Sequence, residues 1–289
     1  MEIYLFLQAL LNGLLLGGLF IVLTIGLNLI TGVLKIINFG HGDLIMLAMY
    51  ITYWLYVYTA YSPLVMMPTT AIIMGFVGLI IYMLLIKPIL RASDIEQLLG
   101  TLGLGVFLQG LAQVLWKSDY RLAKIYAGSI VIGNIYISII QLIVFVISLV
   151  ASILLYIYLM RTVKGVIIRA TAQDPDMSSL LGVNIRNVHL IVFFLSFLFI
   201  GLTGALLLSM FPAYPTTGIE YGILAWLIMV IGGLGSVLGS FIGGILIGVV
   251  YSIFATYYSV ELARALIFVA FILTIALRPT GLLGASARV

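Results

Sequence analysis

The sequence predicts an all-α integral membrane protein with about eight hydrophobic segments, including a broken or re-entrant glycine-rich helix. Three observations carry this. The 289 residues are 64% hydrophobic and 8% charged. Mean hydropathy is +1.32, far above that of a soluble domain. The apolar residues fall in uninterrupted Leu/Ile/Val runs close to the roughly 20 residues a helix needs to cross a bilayer core about 30 Å thick. Such runs lack the alternation of a membrane β-barrel. The expected organisation is one transmembrane domain over residues 1–289.

Taken in order, the chain begins MEIYLFLQALLNGLLLGG, with an acid where a signal peptide would be basic and no evident cleavage site, so it reads as a retained first span. The first run, 5–30, breaks at 31–43, TGVLKIINFGHGD, where Lys35 marks a cytoplasmic end. Runs at 44–60 and 64–86 each stop at a proline (Pro63 and Pro88), a helix-stop signal. A polar loop is expected at 87–97, a fourth run at 98–116, and a hairpin or extended loop at 125–137. The fifth run covers 138–159 and the sixth 188–210, ending where Pro212, Pro215 and Gly218 forbid a continuous helix. A glycine-rich region at 223–250 and a last run at 262–277, stopped at Arg278-Pro279, complete the chain.

The formal charge is +4, but the basic residues lie between runs, where they set orientation and do not imply nucleic acid. Loops 87–97 and 161–187 share a side and carry Lys87, Arg91, Arg161, Lys164, Arg169 and Arg186. The opposite loop carries Lys117, Arg121 and Lys124. The first side is therefore cytoplasmic, and Arg278 and Arg288 join it if 223–250 crosses an even number of times. In that region Gly232, Ser236, Ser240, Gly244 and Gly248 recur every fourth residue, as do Gly235, Gly239 and Gly243. Such stripes let helices approach closely, and Gly232-Gly233 with Gly235 is a natural break. Simple packing and a broken helix lining a path are both open.

Two polar stretches are candidates for function. INFGHGD sets Asn38, His41 and Asp43 beside Gly40 and Gly42. Ionisable groups at membrane depth usually face a cavity, and a helix starting there offers free N–H groups to an anion. Alternatively Asp43 charges its own first helical turn at the interface. The second stretch, 161–186, is the longest polar interval. From 170 to 181, Ala172, Met177, Leu180 and Leu181 follow the spacing of a short amphipathic helix, read as a cytoplasmic docking element. His189 reads as interfacial, Glu261 and Arg264 as a local helix pair, and Glu220 as a solvated loop carboxylate.

Cysteine is absent and there are two histidines, which excludes disulfides and thiolate chemistry and leaves no metal ligand set. No glycine-rich loop ends in Gly-Lys-Ser/Thr, so nucleotide chemistry has to come from another chain. No nucleophile–base or paired-carboxylate arrangement suggests an enzyme.

Four stretches, NGLLLGGLFIVLTIGLNLITGVLKIINFGHGDLIMLAMY, RATAQDPDMSSLLGVN, MVIGGLGSVLGSFIGGILIG and LRPTGLLG, together resemble the branched-chain amino-acid ABC transporter permeases of the Liv type, over essentially the whole chain. The resemblance implies that the second stretch is the coupling loop that docks on an ATPase subunit. Ala170 to Ala172 would open its helix, Asp174 to Ser179, including Met177 and Ser178, would form its exposed face, and Leu181-Gly182 would turn back to the membrane. It further implies a second permease subunit, related or identical, two ATPase subunits that use ATP and Mg, and an external substrate-binding protein. The chain itself would bind no cofactor and would sit in the cell membrane. Leucine, isoleucine and valine are the implied substrates; related permeases take other amino acids, urea or short amides. A stand-alone secondary transporter or channel is the alternative, and a membrane scaffold a third.

Overall fold

The computed structural model describes residues 2–123, 125, 127–278 and 280–283. Lys124, Pro279 and Arg288, named above, lie outside the described residues. Among these, seven helices are long and apolar enough to cross a membrane. The central one is α1 (Glu2–Leu34), 33 residues that run past the expected break to include Thr31 through Leu34. Leucine and isoleucine are good helix formers, and no proline intervenes.

After α1 come α2 (His41–Thr59) and α3 (Pro63–Ile81), the latter continued by a π-helical turn, Tyr82–Ile86, and by α4 (Lys87–Ile89). The expected polar loop at 87–97 is thus shorter than its charge suggested. Ser93 and Glu96 form a capping box that starts α5 (Asp94–Trp116) within it. A two-stranded antiparallel hairpin, β1 (Ser129–Ile132) with β2 (Ile135–Ser138), occupies the segment expected to be a hairpin. Then follow α6 (Ile139–Arg161), α7 (Val163–Gln173), α8 (Pro175–Leu180) and α9 (Ile185–Leu208). The glycine-rich region is two helices, α10 (Thr217–Gly232) and α11 (Val237–Tyr257), separated by a tight turn at Gly233 and Gly235, both with positive φ. The last helix is α12 (Val260–Leu277).

The glycines explain how α1 comes to be central. A Cβ on Gly248 would lie 2.6 Å from the Gly17 Cα, and one on Gly244 would lie 2.7 Å from the Ile21 nitrogen, so α11 packs backbone to backbone along α1. Gly232 and Gly239 make the same close approach between α10 and α11, and Gly243 lies on the Ile228 carbonyl. Gly235 rests on Gly32, which ties the α10–α11 turn to the C-terminal end of α1.

Asn28 locks that junction. Its Nδ2 donates to the Ser240 Oγ at 2.6 Å and to the Ser236 carbonyl at 3.2 Å, while its Oδ1 accepts from the Gly235 N–H at 2.8 Å. Asn28→Leu is expected to lower stability by about 2 kcal/mol, read by thermal unfolding in detergent, because three partners, the buried Ser240 hydroxyl among them, lose their bonds together.

Candidate functional site

Lys35, with φ 56°, reverses the chain at the end of α1. The extended segment that follows does not stay at the membrane surface. His41 opens α2 with its Nε2 3.0 Å from the Leu23 carbonyl, about three turns back along α1 from Leu34. The break therefore reaches the bundle interior, and α2 begins there. Thr101 of α5 holds the segment: its hydroxyl donates to the Ile37 carbonyl at 3.1 Å and accepts from the Phe39 N–H at 3.2 Å.

A second break mirrors the first. Beyond α9, Ala213 forms an isolated antiparallel bridge with Arg121, and the Tyr214 ring lies 4.9 Å from that of Tyr120. The chain then turns inward, and α10 starts at Thr217. The N-termini of α2 and α10 meet. A methyl on Gly42 would overlap the Gly218 carbonyl and lie 2.5 Å from the Gly222 Cα, so the two backbones are in contact. The Asp43 carboxylate is wedged between Gly218 of α10 and Gly105 of α5.

Asp43 is 6% exposed and has no cationic partner among the described residues. Its charge is balanced instead by the N-terminal ends of two helices, each carrying partial positive charge, and by the Gln109 Nε2, which donates to its Oδ1 at 2.8 Å. Beside it, the Asn38 Oδ1 and His41 Nδ1 are buried and have no hydrogen-bond partner among the described residues. Phe39, 42% exposed, stacks on Trp226 at 4.9 Å and gives this polar centre an apolar mouth. Gln109→Leu is expected to cost about 2 kcal/mol of stability, measured as a lowered unfolding temperature, because it strips a buried carboxylate of its side-chain donor.

Sequence reasoning placed Asn38, Gly40, His41, Gly42 and Asp43 together, and the structure brings them to one centre. It missed Thr101, Gly105 and Gln109, which approach them from α5, and Gly218 and Gly222 from α10. A signal existed: Thr101, Gly105 and Gln109 recur every fourth residue as a polar and small stripe on an apolar helix.

The docking stretch differs from expectation in two ways. Ala170 and Ala172 close α7 and do not open a helix; Ala172 packs into the core and lines, with Arg169, a cavity of about 320 Å³. Ser178 is 4% exposed and so is not part of an exposed face. Asp174 separates α7 from α8 and caps α8, accepting from the Met177 N–H at 2.8 Å. Gly182, at φ +87°, ends α8 with the paired bonds of a Schellman turn, its own N–H to Ser179 and the Val183 N–H to Ser178. Leu180 and Leu181 stand 81% and 79% exposed, with Met177 at 53%.

Three isolated residues also gain partners. The His189 ring meets the hydroxyl of Tyr82, the first residue of the π-helical turn, at 3.3 Å and is half-buried there. Arg264 pairs at 3.2 Å with Glu220 of α10, not with Glu261 on its own helix. Glu220 is exposed, as expected, but is no loop residue: it belongs to the first turn of α10 and accepts from the Tyr214 hydroxyl at 2.7 Å. Burial, with that carboxylate beside it, holds the Tyr214 phenol above its ordinary pKa.

Comparison with known proteins agrees with this architecture. No solved structure matches the chain. It is 28% identical over 299 residues to the high-affinity branched-chain amino acid transport system permease protein LivH of Escherichia coli (strain K12), covering 96% of each chain. To BraD, the permease protein of the same description from Pseudomonas aeruginosa, it is 29% identical over 298 residues, covering 98% of this chain and 97% of BraD. A probable LivH of Methanocaldococcus jannaschii is 27% identical over 248 residues, covering 84% of this chain and 78% of that protein. The sequence model of one family matches residues 9–275, nearly the full set of helices, and the chain belongs to that family, the permease component of the branched-chain amino acid transport system.

Proposed function

We propose that this chain is the membrane-spanning permease subunit of an ATP-driven importer for branched-chain amino acids. The observation that carries the reading is the meeting of α2 and α10 around Asn38, His41 and Asp43. Two helices that begin inside a membrane bundle, with polar side chains between them, form the kind of centre that lines or gates a translocation path. The chain pairs with a second permease subunit, related or identical, across that path. Two ATPase subunits dock from the cytoplasm and bind ATP and Mg, which this chain does not. An external binding protein delivers substrate to the outer segments at 117–137 and 212–216.

The coupling element is α8. Its exposed Leu180 and Leu181 seat in a groove of the ATPase, and closure of the nucleotide dimer displaces α8 together with α9. Gly204 of α9 lies on Ala48 of α2, so that displacement reaches the α2–α10 junction. Paired half-helices also suit a gradient-driven carrier, and one experiment separates the two. Proteoliposomes containing both permease chains, the ATPases and the binding protein are expected to take up labelled leucine only with internal ATP. Uptake driven by an ion gradient without nucleotide overturns the importer reading.

A further inference from the structure

The cavity that Arg169 shares with Ala172 lies where the membrane-crossing helices α1 and α6 end. Arg169 donates through Nε to the Leu159 carbonyl at 3.1 Å, in the last turn of α6, so its guanidinium stands at the level where that helix leaves the bilayer. That bond uses one of five donors. Among the described residues no other hydrogen bond and no carboxylate engages the group. Arg161 closes α6 and Lys164 opens α7, both exposed, and no acid occurs from residue 120 to residue 173. Asp174, the next one, is engaged by the α8 cap. This end of the bundle is therefore cationic.

Below the guanidinium the lining is mostly aliphatic. Leu29, Val33 and Ile168, all buried, make the floor, and the exposed Met160, Leu234 and Leu238 make the rim. Asn28, at the inner end, has its amide bonded to the α10–α11 junction. From Val33 to Leu29 the floor follows α1 inward for about 6 Å. The volume of about 320 Å³ is roughly ten times a water molecule's share of the liquid, room for part of an acyl chain. A small anion from water is held by several converging N–H donors, and here one guanidinium tops an apolar slot. Such a site suits an amphiphile whose own hydrocarbon fills the slot.

We propose that this cavity binds an anionic phospholipid, with the lipid phosphate on the Arg169 guanidinium and the start of one acyl chain between Leu29, Val33 and Met160. Arg161 and Lys164 add attraction for a negative head group over a zwitterionic one. The lipid ties α7, and through it α8, to the ends of α1 and α6.

The test uses the assembled transporter with a photo-crosslinking phenylalanine analogue in place of Met160. It is reconstituted in vesicles of equal parts phosphatidylglycerol and phosphatidylcholine, with a traceable label on one lipid or the other. Light is expected to attach phosphatidylglycerol to this chain roughly fivefold more than phosphatidylcholine. R169Q should bring the ratio to about one and R169K should keep part of the preference. A172F fills the cavity with Arg169 still present, so it should lower attachment of both lipids; this arm decides the matter if R169Q does not assemble. Equal attachment of the two lipids in the parent means ordinary lipid-facing surface and overturns the proposal, as does a preference unchanged in R169Q or attachment unchanged in A172F. Attachment to an ATPase subunit in place of lipid, or displacement of phosphatidylglycerol by inorganic phosphate, assigns Arg169 to another ligand and overturns it too.

Discussion

Replacing Gly42 with valine is expected to lower the unfolding temperature of the purified permease by roughly 5–10 °C, a loss of about 3 kcal/mol. The reason is contact between two helix backbones. A side chain at Gly42 overlaps the Gly218 carbonyl, so α2 and α10 have to separate at their N-termini. Separation also releases Asp43 from its position between Gly105 and Gly218, which leaves a buried carboxylate with weaker compensation. Gly103→Ala is the matched control. Nothing lies within 4 Å of a Cβ there, and alanine in a helix interior is favoured over glycine by about 0.5–1 kcal/mol, so stability should hold or rise. Equal behaviour of the two variants would mean that the helix ends do not meet at Gly42.

The second large effect is on coupling. Leu180→Asp with Leu181→Asp is expected to cut ATP-dependent uptake roughly a hundredfold and to release the ATPase subunits during detergent purification, while the unfolding temperature stays within about 2 °C of the parent. The two leucines are 81% and 79% exposed, so the substitution removes little contact within the chain. Aspartate there places charge where an apolar groove has to close. The backbone of the element is independently secured by the Asp174 cap and the Gly182 turn, so α8 persists. Retained uptake in the double variant would remove α8 from the coupling path.

These two elements differ in how far the sequence disclosed them. The break after α1 was legible because a lysine, an asparagine, a histidine and an aspartate interrupt an apolar run within nine residues of Lys35. Its inward course was not, since that depends on the contact between His41 and Leu23 and on Thr101 from a helix 60 residues away, and side-chain periodicity carries no information on pairing between helices. Local spacing even misled at Arg264. Glu261 stands three residues away and suits a helix pair, yet tertiary packing brings Glu220 closer. Over 170–181 the pattern singled out Met177, Leu180 and Leu181, which stand exposed, but it merged two helices into one because Asp174-Pro175 reads equally as an interruption or as a start. Ala172 and Ser178 accordingly belong to the inner faces of α7 and α8.

The seam between α1 and α11 also governs how the protein is made. Gly13 and Gly17 on the first helix are shaped for Gly248 and Gly244, which leave the ribosome last but one helix. At 5–20 residues per second, the interval from Gly13 to Gly248 lasts on the order of ten to fifty seconds. During that time the helix that ends at the centre of the bundle has an open groove along one side and no counterpart to fill it. Lipid or the insertion machinery has to occupy that groove during synthesis, so the finished bundle closes around its first helix only when its penultimate one arrives.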